Sequence, residues 1–421
     1  MTTAASSDFS PAASIWANAA ATLALCATAA VPSLAYMRGA GSMSTGLSIV
    51  CGTILICALV KDFRSGLWRG TARASVAMLW SVAIAALSGA IAIIVHGEAD
   101  AGRFFGSIVL LFSAGLAAVA LSDTAGRMSG SEFDAMIFGS FWIFVVAGLA
   151  GLVHFSPFAP QASKAVLFFN EPSHYSLTFM PFFAYAAIRA KPAARLALIV
   201  AAAGLSLALE SLTMIVGVML TALLQMRTRQ IIMSSPIFFG VLSVLTLDYY
   251  TDRLNFSPDS TNFSSLVFLS GWERAWLGLR DTYGLGVGFQ QFGVVGDQGR
   301  ISDIILGLIG DRLNVLDGGT VGAKFVGEFG VFGIVLLAGF ALFWIRQCLA
   351  LRRVALDGGL GTAVGAQTTF AACCVAMFII DIFVRGISYF SPSSLLFAAS
   401  AFWLAGRAKA LPICYSLAEK P

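Results

Sequence analysis

The chain has 421 residues, of which 58% are apolar and only 11% are charged. Soluble domains carry about 25% charged residues, so this composition excludes an ordinary soluble protein. The net charge is +4, and the sequence has no long run of basic residues, which excludes a typical nucleic-acid-binding protein. The His, Cys, Asp and Glu residues show no metal-ligand spacing, and we therefore expect neither a metal nor a cofactor.

Apolar runs, taken in chain order, predict an all-α polytopic bundle of about twelve transmembrane helices with one large periplasmic loop. The uncharged run Ser75–Val95 is long enough to cross a hydrocarbon core of about 30 Å as a helix. The predicted spans are 14–36, 46–60, 75–95, 104–122, 135–153, 175–189, 196–209, 211–225, 231–247, 329–345, 366–384 and 388–405. They divide the chain into nine spans in 1–247, a polar loop in 248–328, and three spans with a tail in 329–421.

Basic residues predict the orientation of these spans. With the N-terminus inside, cytoplasmic segments carry 16 of the 26 Lys and Arg residues, and short outer loops carry 4. Because such residues gather on the cytoplasmic side, we predict cytoplasmic termini and an outer large loop. Ten of the 22 acids lie in that loop, and all three histidines, His96, His154 and His174, fall on the same side. We therefore expect the chemistry on the outer face.

A first group of polar residues, Glu171 to His174, precedes the sixth span. Pro172 suits the first turn of the helix that follows, which would leave Glu171 and His174 at the water interface. A carboxylate at this position can act as a general base, and an imidazole can donate to a phosphate or a hydroxyl. The alternative is a capped helix end whose polar groups are only solvated.

A second group lies in the large loop and comprises Trp272, Arg274, Trp276 and Arg280, followed by the glycine-rich run 284–289. The planar guanidinium of arginine suits phosphate oxygens, and the indole faces could stack on a sugar ring. The glycines would let a ligand approach the backbone closely. The alternative is an ordinary glycine-rich turn, because the strand–helix context of a dinucleotide fold is missing.

A third group, Asp317 and Glu328, lies near the start of the tenth span, where either carboxylate could orient an acceptor hydroxyl or cap a helix. Lys324 precedes Glu328 by four residues and would pair with it in a helix. The same spacing predicts an ion pair between Asp381 and Arg385, since charges inside a membrane are usually paired.

Two further expectations concern the outer side. Glu210 lies in the minimal turn between the seventh and eighth spans, which form either a tight hairpin or one broken helix. Apolar residues at helical spacing predict an amphipathic helix over Arg300–Val315, which would pack on the bundle or gate a lipid-borne substrate.

These groups resemble motifs of the bacterial Wzy-type polysaccharide polymerases, within the O-antigen polymerase and ligase superfamily. The similar features are the Glu-Pro-Ser step at 171–173, Arg274 with Trp276, the glycine run 284–289, and the segment 327–333. The resemblance covers the span pattern and roughly residues 160–340. This chain departs from the family at Lys164, where members often have an Arg, and at 317–320, where ligases have a His-containing motif.

The resemblance implies a metal-independent glycosyltransferase of the bacterial inner membrane that polymerises undecaprenyl-diphosphate-linked repeat units on the periplasmic face. It also implies contact with the lipid bilayer and, as partners, a chain-length regulator and a flippase. The roles assigned on this basis are a diphosphate clamp for Arg274 and Arg280, an acceptor base for Glu171 or Asp317, and substrate contacts for Trp272, Trp276, His174 and Glu328. The alternatives are a ligase of the same superfamily and a lipid-linked sugar flippase or transporter.

Overall fold

A computed structural model describes residues 11–65, 72–158, 164–233, 236, 240, 257–258, 260, 262–356 and 365–406. Within these ranges the chain forms helices and no strand, apart from one isolated bridge between Val166 and Phe169. The all-α prediction is therefore confirmed. The ninth predicted span, 231–247, lies mostly outside the described residues, as does the first part of the predicted loop.

The described helices follow the predicted spans closely. They are α1 Pro11–Met37, α2 Met43–Ser65, α3 Ala72–Val95, α4 Ala101–Arg127, α5 Gly130–Leu152, α6 Pro172–Arg189, α7 Pro192–Ala208, α8 Leu212–Gln225, α9 Phe263–Asp281, α10 Arg300–Ile309, α11 Val321–Leu356, α12 Ala366–Met377, α13 Ile379–Phe383 and α14 Pro392–Gly406.

Among the described residues, seven helical stretches are long and apolar enough to cross a membrane, and α7, α8 and α14 are shorter apolar helices. These stretches indicate a multi-pass membrane protein. The total of twelve spans stays a prediction.

Helix α6 lies at the centre of the bundle and is buried from His174 to Ile188. Its Phe182 and Tyr185 rings pack against Phe370 of α12, with centroid distances of 5.1 and 5.7 Å. A helix buried on all sides needs no polar face. Protein surrounds α6, which explains why it can carry Ser, Thr, Tyr and His residues that lower its hydropathy.

At one end of the bundle, an arginine side chain bonds the ends of three helices. The Arg195 guanidinium donates to the carbonyls of Ala187, Gln225 and Ala355 at 3.0, 2.8 and 3.1 Å. These carbonyls belong to the last turns of α6, α8 and α11. Because helix C-termini carry partial negative charge, one cation stabilises three of them. We call this the basic end, and the opposite end, which carries α9 and α10, the loop end.

Helix α11 is interrupted at Gly330, whose φ of 60° and ψ of −138° are not helical. The interruption frees the N–H of Val331, which donates instead to the carbonyl of Gly284 at 2.8 Å. A broken helix inside a membrane protein is tolerated where neighbouring protein satisfies the freed backbone groups. Here the glycine-rich run supplies that partner.

The same run forms two more bonds to α11. The N–H groups of Val287 and Gly288 donate to the carbonyls of Gly327 and Glu328 at 2.9 and 3.0 Å. A Cβ atom at Gly286, which has a φ of 83°, would lie 2.5 Å from the Glu328 carbonyl oxygen. The close backbone approach that the glycines allow is therefore made to α11.

Helices α9 and α10 pack on each other at the loop end. The predicted amphipathic helix ends at Ile309 instead of Val315, because Gly310 adopts a φ of 73° and stops it. Its buried Ile301 and Ile305 lie in one apolar cluster with Leu266 and Val267 of α9. The carboxylate of Glu273 on α9 accepts bonds from the first N–H groups of α10 at 3.1 and 2.8 Å.

Candidate functional site

A cavity of about 450 Å³ lies at the loop end, where α6, α7, α8, α9 and α13 meet. Its wall combines the apolar side chains of Val216, Phe268 and Phe383 with several serines. Its charged lining residues are Lys164, Glu171, Glu210 and Arg385. We call it the Glu171 cavity.

The carboxylate of Glu171 is held by three neighbours. Glu171 is the N-cap of α6, and Pro172 occupies the first helical position as the sequence predicts. Its Oε1 lies 3.1 Å from Arg385 Nη2 and 3.0 Å from His174 Nε2, and it also accepts a hydrogen bond from Ser173 Oγ. About a third of the Glu171 side chain stays exposed at 32%. It therefore joins an ion-pair network to an accessible wall.

These neighbours fix the charge of Glu171. Burial acts to raise the pKa of its carboxyl, but the charges of His174 and Arg385 outweigh burial and hold the pKa well below its usual range. The carboxylate is consequently an anion at neutral pH. An anion of such low basicity is suited to orienting cations and hydroxyls and to accepting a proton late in a reaction.

The partner of Arg385 differs from the prediction. The expected ion pair between Asp381 and Arg385 is wrong, since Asp381 accepts a hydrogen bond from Ser393 Oγ at 2.6 Å and Arg385 bonds Glu171. The reason is that α13 ends at Phe383, so residues 381 and 385 are not on one helix face. Arg385 is therefore a functional candidate, although its spacing in the sequence predicts a pair with Asp381.

His174 and Asn170 extend the network toward α1. The Nδ1 atom of His174 hydrogen-bonds Asn170 Oδ1, and the Asn170 N–H donates to Ser33 Oγ at 3.0 Å. Both ring nitrogens of His174 thus face oxygen atoms of the same short segment. The imidazole is 9% exposed, so it supports Glu171 from within the protein.

Two charged residues complete the cavity wall. Glu210 adopts a φ of 51° in the turn between α7 and α8, which form a tight hairpin, and it lines the cavity together with Glu171. Lys164, which stands where members of the resembled family often have an Arg, lines the same cavity. The wall therefore carries two carboxylates and two cations.

A second charged group at the loop end has a buried Lys–Glu pair beside the partly exposed Asp317. The Lys324 Nζ atom lies 3.8 Å from Glu328 Oε1 and 3.6 Å from Asp317 Oδ1, and it donates to the Leu316 carbonyl at 2.6 Å. Lys324 is 1% exposed and Glu328 is 0% exposed. The predicted pair of Lys324 and Glu328 is confirmed. None of these residues lines the Glu171 cavity.

Arg103 and Gln290 tie this group to α4. Arg103 donates to Gln290 Oε1 and to the Leu316 carbonyl, both at 3.1 Å, and Lys324 donates to the same Gln290 oxygen at 3.5 Å. We call Lys324, Glu328, Asp317, Gln290 and Arg103 the Lys324 cluster. Gln290 is neutral and lies in a loop, so its sequence gave no signal of this role.

Arg274 is buried beneath the loop end. Its guanidinium donates to the carbonyls of Asn314 and Val315 and lies 4.6 Å from the centroid of the Phe292 ring. Burial lowers its pKa to about 10, so the group stays charged at neutral pH. It borders a different cavity of about 390 Å³, whose lining includes Glu98. Its assignment to a diphosphate clamp stays a prediction.

The other predicted substrate contacts do not line the Glu171 cavity. Arg280 is exposed and pairs with the adjacent Asp281 at 2.7 Å, and Trp276 is 66% exposed. Trp272 stacks in parallel on Phe383 at a centroid distance of 6.4 Å. Because Phe383 lines the cavity, Trp272 supports the cavity wall from behind.

The predicted site residues therefore fall into separate places. Glu171 and His174 belong to the Glu171 cavity and its support, whereas Asp317 and Glu328 belong to the Lys324 cluster. The described residues hold no group of three or more His, Cys, Asp or Glu side chains placed to bind a metal ion. No family model, curated protein or solved structure matches the chain.

Proposed function

We propose that this protein is a membrane glycosyltransferase that joins undecaprenyl-diphosphate-linked oligosaccharide units into a polysaccharide on the periplasmic face of the bacterial inner membrane. The observation that carries the proposal is the anionic Glu171, bonded to Arg385 and His174 in the wall of a cavity at the loop end. The resemblance of 171–173 and 274–289 to polymerase motifs supports it.

The leaving group requires positive charge. A diphosphate that departs from a sugar develops negative charge on the bridging oxygen, which nearby cations stabilise. The cations of the cavity wall are Lys164 and Arg385, which pairs with Glu171, whereas Arg274 borders a different cavity and Arg280 does not line the Glu171 cavity. The proposal therefore assigns the clamp first to Arg385 and Lys164.

The acceptor requires a hydrogen-bond acceptor for its hydroxyl. In the proposed step the hydroxyl oxygen attacks the anomeric carbon, and the bond from that carbon to the diphosphate oxygen breaks with its electron pair on the oxygen. The hydroxyl proton passes to Glu171 after most of the new bond has formed, because a carboxylate of low pKa takes up only an acidic proton. Asp317, the other candidate base, lies outside the cavity wall.

Complementation tests this assignment. A strain that lacks the gene would receive the wild-type chain, Glu171→Gln, Arg385→Gln or the matched control Glu98→Gln, and its glycans would be sized on gels. We expect long chains with wild type and control, and single repeat units with the two cavity variants at equal expression. Full chain length with both cavity variants would overturn the site assignment.

The same deletion strain separates the alternatives. A polymerase defect leaves single repeat units on the lipid carrier at the outer face. Long chains that accumulate on the carrier would indicate a ligase, and repeat units held on the cytoplasmic face would indicate a flippase or transporter. Either result would overturn the polymerase proposal.

A further inference from the structure

A separate cavity of about 410 Å³ lies at the basic end, between α6, α7, α8 and α11. Three arginines, Arg195, Arg227 and Arg229, line it, and no Asp or Glu is among its described lining residues. The rest of the wall is largely apolar and includes Leu196 and Met226. A positive, partly apolar pocket between membrane helices has the character of a site for an anionic lipid headgroup.

The three arginines of this cavity differ in their contacts within the described protein. Arg195 is engaged with the carbonyls that end α6, α8 and α11, which removes the negative helix ends that would repel an anion. Arg227 and Arg229 are exposed, and neither side chain has an ion-pair partner among the described residues. Two exposed cations thus lie beside the bonded Arg195.

The start of α7 also indicates that the ligand is an anion. Helix α7 begins at Pro192 on the cavity wall, and its N-cap residue makes no side-chain capping bond, so a positive helix end faces this region. Gln225 also lines the cavity, but its amide lies within the protein, because its Nε2 donates to the Ala184 carbonyl at 2.7 Å and its Oε1 is buried.

We propose that this cavity binds the headgroup of an anionic phospholipid. The phosphodiester would lie between Arg227, Arg229 and the start of α7. The positive wall favours a headgroup with a net negative charge. The trimethylammonium cation of a choline headgroup cancels the phosphate charge and repels the arginines.

Native mass spectrometry on the purified full chain, delipidated in a non-ionic detergent, tests the proposal. The probes are dioctanoyl-phosphatidylglycerol, dioctanoyl-phosphatidylcholine and inorganic phosphate. We expect one phosphatidylglycerol to bind about tenfold more tightly than phosphatidylcholine, with no displacement by millimolar phosphate. Each basic side chain contributes about fivefold to such binding, so Arg227→Gln with Arg229→Gln should weaken it about 30-fold.

The matched control is Arg346→Gln with Arg353→Gln. Both residues are exposed on α11, outside the cavity, and the net charge changes by the same amount. The control should bind within about twofold of wild type, and all variants should keep the size-exclusion profile of the folded protein. Equal weakening in both double variants, equal affinity for the two lipids, or displacement by phosphate would each overturn the proposal.

Discussion

The Glu171 cavity and the Lys324 cluster both place a carboxylate beside a cation at the loop end, yet they differ in access. Glu171 keeps 32% of its side chain exposed on a cavity wall, whereas Lys324 and Glu328 are enclosed. In the cluster the cations donate to the Leu316 carbonyl and so fix the loop against α11. In the cavity they hold a carboxylate that a ligand can reach.

Ionic residues near a candidate site therefore need not share one role. An enclosed charge pair has its desolvation offset only by the contacts of the folded state, and removal of one partner leaves the other uncompensated. A partly exposed pair such as Glu171 and Arg385 costs less to desolvate, and it can exchange a contact within the protein for a contact with a ligand. The first arrangement stabilises the fold, and we assign the second to chemistry.

The largest effect is expected in the Lys324 cluster. Lys324→Met leaves the Glu328 carboxylate buried without its cation and should destabilise the protein by about 3–5 kcal/mol. The fraction of protein that stays monodisperse after heating, measured by fluorescence-detected size exclusion, reports the loss. Glu328→Gln in the same chain should recover part of it, because the uncompensated charge is then gone. Equal stability of Lys324→Met and wild type would contradict the assigned role.

In the Glu171 cavity the expected effect is on activity. Glu171→Gln keeps the shape of the side chain but removes the charge and the proton acceptor, and we expect polymer formation to fall by about 10²- to 10⁴-fold. The unfolding temperature should change far less than with Lys324→Met. Radiolabelled lipid-linked repeat units give the rate. If Glu171→Gln lost stability but kept the wild-type rate, Glu171 would have the structural role that we assign to the Lys324 cluster.

Hydropathy predicted most of the fold but little of the contrast between these regions. The predicted span 104–122 lies within α4, and the Glu171-Pro172 helix start was predicted correctly, since both depend on local sequence. The bond between Glu171 and Arg385 joins residues 214 positions apart, and local spacing instead suggested Asp381. The glycine-rich run at 284–288, which the sequence suggested as a ligand-binding segment, contacts α11 instead. Local sequence does not predict this contact, because it depends on the interruption of α11 at Gly330, which is a tertiary feature.

Acid stability should sharpen the account of Glu171. Its pKa lies below the ordinary value in the folded protein, so ionisation stabilises the fold above the ordinary pKa, and this stability is lost as pH falls through the folded value. Arg385→Gln removes one of the charges that lower the pKa, so the acid-induced loss of stability should become smaller. Unfolding temperatures between pH 3 and 7 measure it, with Arg280→Gln as the arginine control. If the pH dependence of the unfolding temperature stayed unchanged, Arg385 would not be a cause of the lowered pKa of Glu171.

A smaller effect is expected at Arg274. Arg274→Gln leaves the carbonyls of Asn314 and Val315 without their charged donor and should destabilise the protein by about 1–3 kcal/mol. If Arg274 serves only this packing role, the polymerisation rate of the surviving folded protein stays near wild type. A rate that falls by orders of magnitude without loss of stability would instead support the diphosphate clamp.

The smallest effect is expected at Arg280, whose ion pair with Asp281 is exposed. Surface pairs contribute little to stability, so Arg280→Gln should leave the unfolding temperature unchanged. The polymerisation rate of this variant separates the two clamp assignments, because an exposed guanidinium outside the cavity lining is dispensable if Arg385 and Lys164 hold the diphosphate. A strong loss of polymerisation rate at normal stability would instead support Arg280 as part of the diphosphate clamp.

The most direct test of the central claim is the rate of chain formation by purified protein reconstituted into bilayers with lipid-linked repeat units. Wild type, Glu171→Gln and Arg274→Gln would be compared at equal amounts of folded protein. The account predicts long glycans on the carrier with wild type and Arg274→Gln, and single units with Glu171→Gln. Long glycans with Glu171→Gln and none with Arg274→Gln would contradict it and place the chemistry under the loop.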